Sequence, residues 1–128
     1  MRVFSKPLIA VALITAAVAC SGDSLNPRVV AGTYSLVSIS GNPDVFGSLT
    51  LGRDGRAERR VRYSNGLTYV AIGTFSLLRD GVIDLRLRED NGKSSYEWRP
   101  HTTVDFNIVT IQSPNPADGP DVVEIYQR

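Results

Sequence analysis

Cysteine and histidine are almost absent: Cys20 and His101 are the only ones among the 128 residues. A single cysteine excludes an intramolecular disulfide, and one histidine beside it is too few for a zinc site of the usual nitrogen–sulfur type. There is no Gly-x-Ser-x-Gly elbow and no phosphate-binding glycine loop. No apolar run reaches the ~20 residues that a membrane-spanning helix needs. An excess of charge of either sign is missing too. The 14 basic residues include Arg2 and Lys6 near the start, which leaves 12 against 13 acids. Nucleic acid normally demands a concentrated basic face and is therefore not an expected partner. Between Ala31 and Arg128 there is neither helical periodicity nor a βαβ crossover.

What is present begins with an export segment. Arg2 and Lys6 precede an apolar run from Leu8 to Ala19, broken only by Thr15. Its twelve residues suit the core of a secretory signal. Ala17-Val18-Ala19 fits ordinary cleavage after small residues, to a secreted or periplasmic form. Together with Cys20, the same residues resemble a bacterial lipobox. That resemblance implies a lipidated Cys20 as the first mature residue, carrying the two signals or more that stable anchoring needs. Three features favour lipidation: Cys20 has no partner, a free thiol is a liability in an oxidising compartment, and Ser21–Arg28 is polar like a tether. By the same resemblance to bacterial lipoproteins, Ser21 in place of Asp after the cysteine implies the outer membrane over the inner. The expected organisation is a signal peptide over 1–19, lipidated Cys20 with a tether over 20–29, and one β domain over 30–128.

That domain falls into short β-like runs separated by turn pairs. Asp54-Gly55, Asn65-Gly66, Asp80-Gly81, Asn91-Gly92 and Asp118-Gly119 all place an Asx residue before glycine, the pairing suited to hairpins. Eight strands are expected: Ala31–Ser40, Gly47–Gly52, Arg56–Ser64, Thr68–Arg79, Val82–Glu89, Ser94–Arg99, Thr103–Ser113 and Asp121–Gln127. A helical turn is expected only at Asn42–Val45. Alternation puts Leu49 and Leu51 on one face, Ala57, Arg59, Val61 and Tyr63 on one face, and Ile83, Leu85 and Leu87 on one face.

Two strands depart from that pattern. Thr68–Arg79 is apolar on both sides, with Val70 and Ile72 opposed to Tyr69, Ala71 and Phe75, and Gly73 within it suggests a bend or close backbone approach. In Thr103–Ser113 the phase switches after Ile108, which a β-bulge would explain. Bends of this kind let a sheet close and remove its exposed edges. The expected fold is all-β, a small antiparallel up-and-down eight-stranded barrel, with a two-sheet β-sandwich as the alternative.

Ala31-Gly32-Thr33-Tyr34, the apolar run after it and its Gly41 ending resemble the opening strand of bacterial lipocalin-like small lipoproteins. The final Val122-Val123-Glu124-Ile125-Tyr126-Gln127-Arg128 is similar to their last strand. The resemblance implies a lipocalin-like barrel in which Tyr34, standing where lipocalins proper carry tryptophan, packs beneath Arg128 as a structural pair.

The remaining candidates are lining residues. Arg59 shares a face with Val61 and Tyr63. Its commonest outcome is to reach water past the core; the alternatives are pairing with an anionic ligand head group or with an inward acid. Tyr96 and Trp98 share an inward face. With strands this short, Tyr63, Tyr69, Phe75, Tyr96, Trp98 and Phe106 are expected to fill the barrel, although Arg59, Tyr63, Tyr69, Tyr96 and Trp98 would line a cavity if one exists. Lone His101 reads as a solvated loop residue, and Glu89-Asp90-Asn91 as turn residues before a calcium site.

No catalytic residue, metal or cofactor is implied. The expectation is a non-enzymatic, membrane-anchored envelope protein that binds a small apolar or amphipathic ligand. A packed barrel would instead favour an envelope-protein interaction or enzyme-inhibitor module, docking through an exposed patch at Val70 and Ile72.

Overall fold

The structure is a computed structural model and describes residues 26–90, 95–115 and 117–128. The export segment, Cys20 and the Asn91-Gly92 pair lie outside those residues.

Nine strands follow one another: β1 (Gly32–Ile39), β2 (Phe46–Leu51), β3 (Arg56–Arg62), β4 (Thr68–Leu77), β5 (Val82–Asp90), β6 (Ser95–Trp98), β7 (His101–Asp105), β8 (Ile108–Ser113) and β9 (Val122–Gln127). All pairings are antiparallel, and β9 returns to β1, which closes the sheet. β6 and β7 both lie along the same edge of β5. The register that sets Asp90 opposite Ser95 and Leu87 opposite Trp98 continues in step to Asp84 opposite His101 and Val82 opposite Thr103. They are one stave interrupted at Arg99-Pro100, where proline has no N–H to give to the ladder. The barrel therefore has eight staves in up-and-down order, as expected from the sequence.

Two expectations need correction. The phase switch at Ile108 is a hairpin, not a bulge: β7 and β8 pair from His101–Gln112 to Asp105–Ile108 around Phe106-Asn107. Phe106 takes a left-handed φ of 54° there and is 90% exposed, so it fills nothing. Nor is there a helical turn over Asn42–Val45. Ser40-Gly41, with φ of 48° and 81°, forms a tight turn that brings Ile39 and Asn42 into mutual backbone hydrogen bonds. Single 3-10 turns occur instead at Pro27–Val29 and Arg79–Gly81.

Alternation translates directly into packing. Leu49, Leu51, Ala57, Val61, Phe75, Leu77, Ile83, Leu85 and Leu87 are all buried. They meet Val109, Ile111, Tyr34 and Tyr126 in one core. Gly73 is the anticipated close approach: a Cβ there would run into the Arg86 backbone carbonyl where β4 pairs with β5.

This core occupies one end of the barrel, where β1 begins and β9 ends. Tyr34 is fully buried, its hydroxyl donating to the Val30 carbonyl at 2.7 Å. The Arg128 guanidinium lies 5.0 Å above the Tyr34 ring and donates to the Ala31 carbonyl at 2.9 Å. Burial raises the Tyr34 phenol above its ordinary pKa, with Arg128 pulling the other way. Gly32 makes room for the arginine, since a Cβ there would stand 3.1 Å from Arg128 Cδ. The Tyr34–Arg128 pair thus closes this end.

Candidate functional site: an aromatic cup over a buried ion pair

At the opposite end the interior is open. A cup of about 810 Å³ is lined by five residues singled out from the sequence, Arg59, Tyr63, Tyr69, Tyr96 and Trp98. This size falls within the range typical of small-molecule sites. Each lining side chain comes from the inward phase of its strand or the loop beyond it, because period-two alternation carries the apolar face of β3, β4 and β6 up to the rim. Tyr63 and Tyr69, opposite neighbours but one across β3 and β4, meet edge to face with centroids 5.4 Å apart. Trp98 and Tyr63 are half-buried in the wall, while Tyr96 is 60% exposed on the lip. The expected filling by aromatics fails at this end: only Phe75 of the six lies in the packed core, and four others form a wall.

Arg59 does not reach water. It is buried on β3, and its Nε and Nη2 donate to Oε1 and Oε2 of Glu124 on β9 at 2.8 and 2.5 Å. Of the three readings open in the sequence, the inward acid is the one present. Two strands, β1 and β2, stand between β3 and β9 in the sheet, so the pair reaches across the barrel interior and forms the floor of the cup. Tyr126, two residues along β9 on the same face, donates its hydroxyl to Glu124 Oε1 at 2.5 Å. The Arg59 guanidinium also lies 4.9 Å from the Trp98 ring centre.

The electrostatics follow from burial with full pairing. Burial alone would make Arg59 easier to deprotonate, but the Glu124 carboxylate overrides this and holds the guanidinium charged more firmly than usual. Burial, and then the Glu124 charge, push the Tyr126 phenol far above its ordinary pKa, so it stays a hydrogen-bond donor. A bidentate pair with a third donor satisfies the carboxylate where water is excluded.

Sequence reasoning missed Glu124, Tyr126, Glu89 and Ser113. Glu124 had a signal: it shares the inward phase with Val122 and Tyr126, an acid among apolar neighbours facing the one inward arginine. Glu89 continues the inward phase of Ile83, Leu85 and Leu87 up to the cup wall. Ser113 and Val122 complete the far side of the cup.

His101 is exposed at the start of β7, opposite Asp84 and Gln112 in register. Of Glu89-Asp90-Asn91, Asn91 and the Asp90 side chain lie outside the described residues. Among the described residues no three His, Cys, Asp or Glu side chains come together as metal ligands. On the outer face of β4, Ile72 is 59% exposed and Val70 half-buried. Comparison with protein-family models, curated proteins and solved structures finds no match to the chain.

Proposed function

We propose that this protein is a lipocalin-like, non-enzymatic binding module that holds one small apolar or amphipathic ligand in the cup, tethered to the cell envelope through a lipidated Cys20. The observation that carries the reading is the cup itself: an interior left open at one end and walled by Tyr63, Tyr69, Tyr96 and Trp98, while the other end is solidly packed. Concave aromatic surface above a few fixed polar groups is the usual make-up of a small-molecule site. Gly32, Tyr34 and Arg128 support the lipocalin-like part, because they form the aromatic–arginine closure that the resemblance implies.

The chain enters the barrel at its closed end through Pro27–Val30. Residues 20–26 extend at most roughly 25 Å. An anchor at Cys20 would therefore hold the closed end towards the lipid surface and leave the cup facing the aqueous side. The ligand would be taken from solution or handed over by a partner, not drawn directly from the membrane beneath.

Native mass spectrometry of the full-length protein recovered from bacterial membranes tests this. The expected result is an N-terminal cysteine of acylated mass and a second population heavier by one small molecule. Cys20→Ser should move the protein to the soluble fraction without altering ligand retention. A ligand-free spectrum, together with no saturable binding of apolar probes, would count against the binding module. The exposed Ile72 on the outer face of β4 supports the second reading, a docking surface for another envelope protein; co-purification of a protein whose binding is lost in Ile72→Asp would favour it.

A further inference from the structure

We infer that the cup selects organic cations with an apolar flank, such as alkylammonium compounds, over carboxylates of the same size. The inference rests on the cup being a ligand site and assigns that site its ligand class.

The charges in the wall decide the sign. Among the described residues lining the cup, Arg59 is the single cation, and two carboxylates, Glu124 and Glu89, line the cup with it. Glu124 takes Arg59 through a two-point ion pair, which leaves the floor neutral and its arginine engaged. An incoming carboxylate would have to compete with Glu124 for that guanidinium while sitting beside the Glu89 carboxylate of the same wall. Glu89 is half-buried in the wall, flanked across the sheet by Ala71 on β4 and Tyr96 on β6. Its charge is therefore less screened than that of a surface acid.

The rings act in the same direction. Tyr63, Tyr69, Tyr96 and Trp98 supply aromatic faces, whose negative quadrupole attracts cations and disfavours anions. Trp98 already uses this property towards Arg59. A soft ammonium flanked by methylenes meets both requirements at once: its charge answers Glu89 and the rings, and its tail covers the apolar wall. Pairing with an anionic head group was one of the alternatives the sequence left open for Arg59; with Glu124 bound to it, the cup has the opposite preference.

Trp98 is the sole tryptophan in the chain, so its emission reports on the cup without labelling. The test is a fluorescence titration of the full chain with decyltrimethylammonium and decanoate below their micellar concentrations and 1-decanol below its solubility limit. The expected order of affinity is cation, then alcohol, then carboxylate, with about tenfold or more between the ends of the series. Glu89→Gln should shrink the ratio of cation to carboxylate affinity severalfold. Tyr96→Leu, at the exposed lip, should weaken the cation more than the alcohol. Saturable binding of all three with decanoate equal or tightest would overturn the cation preference and leave the cup standing as a ligand site. No response of Trp98 to any of them would overturn both.

Discussion

At the closed end of the barrel, Tyr34, Leu51, Leu85, Val109 and Tyr126 are almost wholly removed from water; at the open end, Tyr63, Tyr69, Tyr96 and Trp98 stand around a cup of about 810 Å³. Both ends are built from the same alternating strands, so alternation does not distinguish them. Side-chain size and the closing groups do. Leucine, isoleucine and valine side chains pack around Tyr34 and Tyr126 at the closed end, and Arg128 over Tyr34 seals it. At the other end, broad rings lie along the wall, and polar Ser64, Asn65 and Ser113 at the rim supply no plug. The Arg59–Glu124 pair marks the boundary. A charged pair within the barrel is a poor source of stability compared with apolar packing, but it sets a polar floor at a fixed depth. The lesson is a division of labour: one half supplies stability and the other supplies a surface that need not contribute to it.

The largest expected effect comes from breaking the boundary. Glu124→Leu strands a buried guanidinium and should cost about 3–5 kcal/mol in urea unfolding, whereas the double variant Glu124→Leu with Arg59→Met should recover most of that loss. Recovery would show that the pair is not a net source of stability for the fold. Next comes the contrast between ends: Leu85→Ala, fully buried, should cost about 2–5 kcal/mol, while Tyr96→Ala on the lip should stay within about 0.5 kcal/mol. Equal losses at both would break the comparison.

Arg128→Met keeps the packing over Gly32 and removes the charge above Tyr34. It should cost about 0.5–2 kcal/mol, with ligand binding unchanged. The smallest effect is electrostatic and lies outside both ends. Arg99 and then Arg86 hold the Asp84 carboxyl below its ordinary pKa. A lowered folded-state pKa contributes stability above the unfolded value and loses it as pH falls through the folded value. Asp84→Asn should therefore flatten the acid limb of the stability profile, by no more than about 1 kcal/mol because both arginines are exposed.

Much of the fold was legible because period-two alternation and Asx-Gly pairs are local signals. The faces of β2, β3 and β5 could be read directly, as could the close backbone approach at Gly73. The β7–β8 hairpin could not, because its turn is Phe106-Asn107, with no glycine or proline, and a phenylalanine in left-handed conformation has no sequence signature. The break at Arg99-Pro100 likewise hid that β6 and β7 form one stave. Of the site, the wall aromatics were legible from their phase. Whether they would fill the interior or line it was not, since that depends on how side chains from all eight staves share the interior. Arg59 was legible as inward but not as paired, because Glu124 lies 65 residues away on a strand that meets β3 only through the barrel interior.

The central claim, that the open end is a ligand site and the closed end a packed core, is tested most directly by energy transfer from Trp98 to the neutral apolar fluorophore N-phenyl-1-naphthylamine. The account predicts saturable transfer at one probe per chain, lost in Ser113→Phe, which narrows the cup, and retained in Arg128→Met at the far end. Absence of saturable transfer, or transfer that Ser113→Phe leaves unchanged, would contradict it.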